Sequence, residues 1–144
     1  MQADPLPEDT PLYVNHPPGY NQDPDEVWHI MRPLYGLSCA PRAWADTLSE
    51  FFLSQGWTQS RNDDTVFSYH LGKHPMILTS WVDDILMDCH DDDAALAQRL
   101  CEAILARFGG KSLCQVERFI CMDVEHPSEY TYTLSQERAI ISLL

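Results

Sequence analysis

The sequence predicts an α+β fold, an antiparallel sheet with helices packed on one face. Three observations predict it. Apolar residues recur at helical spacing in two stretches, Trp44-Leu48-Phe51-Phe52 and Leu96-Leu100-Ile104-Phe108. Between them lie short apolar runs punctuated by turn residues, the mark of hairpins. After the second helix, short strands return. The order is strand, helix, antiparallel hairpin, helix, strands, which suits helices laid on an antiparallel sheet.

Residues 1–25 are rich in Pro and Asp and read as an irregular arm, with a short strand around Leu12 to Val14. A domain spanning 26–144 follows. A strand around Val27 to Met31 leads to a turn at Gly36. Pro41 suits the first turn of the first helix, where its missing N–H costs nothing, and Gly56 suits the stop. Strands near Thr65 to His70 and Met76 to Val82 flank a turn at Gly72-Lys73-His74-Pro75. Ile85 to Met87 forms a third short strand, and Asp83-Asp84 takes the place of a two-residue hairpin loop, although it lacks the usual glycine. Asp91 to Asp93 cap the second helix at the positive end of its dipole, and Gly109-Gly110 ends it. Strands over Val116 to Val124 and Tyr130 to Leu134 are joined by a turn at His126-Pro127-Ser128. Ser135 is the expected N-cap of a last helix.

Composition narrows the class. The 144 residues are 44% hydrophobic, ordinary for a globular domain. No apolar run reaches the roughly 18–20 residues that span a bilayer. The N-terminal "MQADPLPEDT" lacks the basic cap and apolar run of a signal peptide. These features predict a soluble intracellular chain, cytoplasmic or nuclear and not secreted. The five cysteines, at 39, 89, 101, 114 and 121, include no Cys-x-x-Cys pair and read as reduced. Cys89-His90 offers two zinc ligands, but no second pair stands at a suitable spacing. Nine Lys and Arg against 22 Asp and Glu give a net charge of −13, which by itself opposes nucleic-acid binding.

The segment "TSWVDDILMD" sets Asp83 and Asp84 side by side in an apolar run. Ionised carboxylates do not belong inside such a run, because an unpaired buried charge is costly. At a hairpin tip they reach solvent or a cation, and two hard oxygen donors there make a ready Mg²⁺ or Mn²⁺ site. Acidic pairs also occur at Asp63-Asp64 and Asp91 to Asp93. From the residues alone, a solvated turn and a metal site account equally well for Asp83-Asp84.

An ordered set of segments then carries a resemblance. "WVDDILM" resembles the Tyr-x-Asp-Asp box of reverse transcriptases. "LYGLSCAPRAWADTL", residues 34–48, closely resembles the L-Y-G-L-K-Q-A-P-R-x-W segment of copia-type LTR retrotransposon reverse transcriptases. "LYVNHPPGY", "DDTVFSYH" and "RFICMDVEH…YTLSQERAIISLL" are similar to further segments of that family, in the same order. The resemblance implies an RNA-directed DNA polymerase whose palm is an α+β sheet. It implies that Asp83 and Asp84 are catalytic, metal-binding carboxylates using Mg²⁺ or Mn²⁺. Tyr35, Gly36, Arg42 and Trp81 fall at nucleotide- or template-binding positions, Gly36 by permitting close backbone approach and Arg42 as a phosphate contact, although taken alone Arg42 reads as an ordinary surface arginine. Trp44, on the apolar helix face, reads as core instead of a base-stacking platform. The implied partners are an RNA or DNA primer-template and deoxynucleoside triphosphates.

Several positions depart from the family. Trp81 stands for its Tyr, and Ser38-Cys39 for its Lys-Gln. Cys114 and Cys121 stand where glycine is usual, which predicts a strained turn or a crowded strand contact. The family's third catalytic aspartate lies on a strand upstream of the matched segments. The resemblance therefore implies a palm domain truncated at both ends, and Asp4 is no substitute for the aspartate. The isolated chain is expected to be inactive. A non-enzymatic module that dimerises through an open sheet edge, or binds a protein partner, is the alternative expectation. A different metal-dependent phosphotransferase is disfavoured, because no glycine-rich phosphate loop is present.

Overall fold

The structure is a computed structural model of the chain. It describes residues 4–6, 11–20, 23, 25–113, 115–128 and 131–143. The elements are β1 (Leu12–Val14), β2 (Trp28–Ile30), α1 (Ala40–Ser54), β3 (Thr58–Gln59), β4 (Val66–Tyr69), β5 (Met76–Trp81) and β6 (Asp84–Asp88). A 3₁₀ turn (Asp91–Asp93) follows, then α2 (Ala94–Phe108), β7 (Arg118–Phe119), β8 (Met122–Ser128), β9 (Thr131–Ser135) and α3 (Glu137–Ile141). The fold is α+β, and every strand pairing is antiparallel. Among the described residues the strands form three sheets, β1-β2, β3-β4-β5-β6 and β7-β8-β9.

The four-stranded sheet carries the core. Along β5, Met76, Leu78 and Ser80 are buried while Ile77 and Trp81 are exposed, the period-two alternation of a strand with one wet face. Phe67 and Tyr69 of β4 stand opposite Leu78 and Met76, so they share the buried face. Leu48 and Phe52 of α1, with Ala97, Leu100, Ile104 and Phe108 of α2, cover that face. Both helices thus lie on one side of this sheet, as their apolar stripes require. Phe52, Phe67, Met76 and Leu78 are fully buried. Each contributes about 1.5–3 kcal/mol of transfer free energy. Trp57, placed between α1 and β3, packs against Phe52 and Tyr69, with ring centroids 6.5 and 5.2 Å away.

Four local expectations are corrected. The loop between β5 and β6 is Val82-Asp83, not Asp83-Asp84, because Asp84 already pairs with Trp81 in the ladder. The run from Val116 to Val124 is broken by a tight turn at Ile120-Cys121, both in the left-handed region at φ 49° and 60°. This is the double left-handed geometry that hairpin loops usually fill with Asn-Gly. His126-Pro127-Ser128 is not a turn but the irregular end of β8. Asp93 does not cap α2 with its side chain. Ser135 Oγ accepts from the Glu137 N–H at 3.2 Å, at the start of α3. The Cys114 position and the Tyr130 end of the predicted last strand lie outside the described residues.

Candidate functional site

The β5–β6 hairpin places the two adjacent carboxylates. Ile85 and Met87 of β6 turn toward the helices and pack against the core, while Asp84 and Asp88 face the open side with Trp81 and Ile77. Asp83 sits in the loop, and both acidic residues are exposed. Among the described residues, neither carboxylate is engaged by a hydrogen bond or an ion pair. Other acidic groups are engaged. Asp46 pairs with Arg42, Asp92 with Lys73, Asp4 with Arg107 and Asp123 with Arg138. Asp63 accepts from the Thr65 hydroxyl and backbone N–H, which hold its carboxyl below the usual range.

The loop is locally strained and held from behind. Val82 has φ 55°, a left-handed conformation that is an outlier for a β-branched residue. The Trp44 indole Nε1 donates to the Val82 carbonyl oxygen at 2.6 Å. The Trp44 ring packs edge-on against Phe108, with centroids 5.3 Å apart. Trp44 is therefore part of the core, as its helical spacing predicts, and its polar edge also fixes the loop peptide.

The remaining predicted site residues are dispersed. Trp81 lies directly across the ladder from Asp84, with about half its surface exposed. Arg42 lies on α1, and its Nε donates to both Asp46 carboxylate oxygens at 3.0 and 3.1 Å. Arg42 and Asp46 line a cleft of about 290 Å³ whose other wall includes Gln59, Asp64, Thr65 and Ser80. Ser80 adjoins Trp81, so the cleft opens beside the strand that leads to the carboxylates. Tyr35 is fully exposed in the turn closed by the Leu37 N–H and the Leu34 carbonyl oxygen. Among the described residues, no hydrogen bond or ring contact joins it to the hairpin. Gly36 has φ 94°, and a Cβ there would meet nothing within 4 Å. Within this chain the glycine answers a backbone requirement, not a close approach. Asp4 is committed elsewhere, to Arg107 at 2.8 Å.

The hairpin tip supplies two oxygen donors, fitting part of a divalent-cation shell. The one convergence of three ligand-type groups found among the described residues lies elsewhere, at His74, His90 and Asp92. Sequence reading offered His90 as a zinc ligand only beside Cys89 and gave no signal for its meeting with His74, because the two histidines come from separate loops. Asp93 was also missed. It is buried, with 6% of its surface exposed, and accepts from the N–H groups of Lys73 and His74 at 2.9 and 2.8 Å. The Lys73 bond foremost, then those to His74, hold its carboxyl below the usual range against the opposing effect of burial.

The family described as reverse transcriptase (RNA-dependent DNA polymerase) matches residues 5–144. The Retrovirus-related Pol polyprotein from transposon RE2 of Arabidopsis thaliana is 30% identical over 135 residues, covering 92% of this chain and 9% of that protein. The corresponding transposon RE1 polyprotein of the same plant gives the same identity and coverage. A transposon Ty5-1 protein of Saccharomyces cerevisiae is 25% identical over 129 residues, covering 88% of this chain and 41% of that protein. The chain thus spans a small part of the plant polyproteins and under half of the yeast protein. No solved structure matches it significantly. With nearly its full length matched in family order, the chain belongs to the reverse transcriptase (RNA-dependent DNA polymerase) family, as a partial domain of the copia type.

Proposed function

We propose that this chain is part of the palm of an RNA-directed DNA polymerase, with residues 26–144 forming the palm portion and residues 1–25 a leading arm. The carrying observation is the hairpin tip, where Asp83 and Asp84 stand exposed and, among the described residues, without a hydrogen bond or ion pair, on a hairpin packed against two helices. Rigid support behind paired carboxylates is what two-metal nucleotidyl transfer requires. Asp83 and Asp84 would hold Mg²⁺ or Mn²⁺, whose positive charge would serve at the triphosphate and the primer 3′-hydroxyl. Trp81, across the ladder from Asp84, would bound the nucleotide on the open sheet face. Arg42 would offer its outer guanidinium nitrogens to a phosphate, since Nε is taken by Asp46. Tyr35 and Gly36 would approach the template from their exposed turn.

Asp83 and Asp84 are the two carboxylates assigned to this chemistry. Loss of either should cost on the order of a thousandfold in rate or more. The test has two arms. Mn²⁺ added to the chain should broaden the amide resonances of Asp83 and Asp84 selectively, and Asp83→Asn with Asp84→Asn should remove the effect. Broadening centred elsewhere overturns the site. In primer extension with Mg²⁺ or Mn²⁺ the chain, whose net charge of −13 opposes template binding, should give no sustained synthesis. Synthesis abolished by Asp83→Asn would overturn the expectation of inactivity.

A second reading follows from β6, an edge strand of its sheet. An open edge can pair with another copy or a partner chain. Light scattering separates the two readings. A stable dimer that ignores primer-template favours the interaction module, and a monomer with salt-sensitive template binding favours the polymerase.

A further inference from the structure

His74, in the loop between β4 and β5, meets His90, at the entrance to α2, with the rings stacked at a centroid distance of 3.9 Å and 24° between planes. Asp92 lies beside them, and the ligand atoms of the three residues fall within 4.8 Å of one another. We propose that His74, His90 and Asp92 form a binding site for a borderline transition-metal ion, Zn²⁺ or its chemical neighbours, separate from the acidic hairpin tip.

The donor chemistry favours this class. Two imidazoles with one carboxylate suit Zn²⁺, Ni²⁺ or Co²⁺, whereas Mg²⁺ seeks oxygen alone. In a tetrahedral zinc site with bonds of about 2.0–2.1 Å, donor atoms stand roughly 3.4 Å apart. The three groups need to close by little more than an ångström, and the stacked rings must splay so that their in-plane lone pairs converge, which the exposure of His90 and Asp92 permits. A fourth position stays open to water or an exogenous ligand.

The surroundings resemble the support that such sites use. His74 Nδ1 lies 3.2 Å from Oδ2 of the buried Asp93. A metal-ligating histidine characteristically gives its second ring N–H to a carboxylate, which fixes the tautomer and aims the other nitrogen outward. Asp93 is itself fixed by two backbone N–H groups, so His74 is oriented before any ion arrives. His90 must pay for binding. Its Nδ1 accepts from the Asp92 N–H at 3.2 Å, the bond that caps the 3₁₀ turn. Ligation through Nδ1 displaces that bond, and ligation through Nε2 moves the ring proton onto Nδ1 and breaks it. Either way the Asp92 amide loses its partner, a signature that a passive histidine pair would not give. Lys73 Nζ lies 3.8 Å from Asp92 Oδ2, a long and exposed pairing that a bound ion can displace.

Zn²⁺ titrated into the intact chain, followed by amide and imidazole resonances, tests the proposal. One equivalent should shift the His74 and His90 rings and the Asp92 amide, and Co²⁺ should develop the visible absorption of a nitrogen- and oxygen-ligated ion. His90→Ala and His74→Gln should each lower Zn²⁺ affinity at least tenfold while circular dichroism stays unchanged. Asp93→Asn should lower it by roughly 10- to 100-fold through loss of orientation alone. Asp83→Asn should leave it unaltered, which keeps this site distinguishable from the hairpin tip. Zn²⁺ affinity unchanged in His90→Ala, or zinc shifts centred on the cysteines, overturns the assignment.

Discussion

Trp44 and Val82 are joined by a single hydrogen bond, indole Nε1 to carbonyl oxygen at 2.6 Å, across 38 residues of sequence. The bond ties the first helix to the loop between the two catalytic-candidate strands, and it holds a valine in a backbone conformation that valine disfavours. Trp44→Phe keeps the ring contact to Phe108 and removes the donor. It should cost about 1 kcal/mol in urea unfolding and speed amide exchange at Val82 and Asp83. Unchanged exchange at the loop would show that the bond does not restrain it.

The Ile120-Cys121 turn offers the opposite experiment. Cys121 stands at φ 60°, where an L side chain costs roughly 1–2 kcal/mol and glycine costs little. Cys121→Gly should therefore raise stability by about 1 kcal/mol after the extra chain entropy of glycine is offset. Cys121→Val should lower it. Thermal unfolding of the three proteins side by side checks both signs.

Gly72 is specified by its neighbour. A Cβ there would stand 2.9 Å from Asp93 Oδ1, 3.1 Å from its Cγ and 3.3 Å from the His74 carbonyl oxygen. Gly72→Ala should displace the Asp93 carboxylate and cost about 1–3 kcal/mol, the usual scale of overpacking. Loss of protection at the Lys73 and His74 amides would locate the damage.

Acid should loosen the same loop. The Asp93 carboxyl is held below its ordinary 3.8 by the Lys73 and His74 hydrogen bonds. A depressed folded value means its contribution is fully present above 3.8 and is lost as pH falls through the lower folded value. The Lys73 and His74 amides should lose exchange protection in that acid window, and Asp93→Asn should remove the dependence. Protection lost only on neutralisation from the alkaline side would contradict the sign.

The helices were legible because their apolar stripes obey one period over many residues, and burial of Leu48, Phe52, Leu100, Ile104 and Phe108 follows from it. The hairpin was legible in outline but not in register. "WVDDI" contains no glycine to mark the loop, and only the pairing of Trp81 with Asp84 shows that the reversal starts one residue earlier. The Ile120-Cys121 turn was hidden for the same reason, since two apolar residues occupy positions that normally announce themselves with Asn or Gly. Asp93 looked like a helix cap because sequence shows its position in the helix and not the loop twenty residues back that its carboxylate serves. The histidine pair needs two loops to meet in space, which no local pattern encodes.

The one-residue offset of the reversal makes the neighbouring acids mechanically unequal. Asp84 is clamped by the backbone rungs of its strand, like the fixed jaw of a vice, whereas Asp83 rides on the bend and can swing. An ion gripped there would be located by Asp84 and accommodated by Asp83. Lengthening by one methylene should accordingly be forgiven at Asp83→Glu and punished at Asp84→Glu.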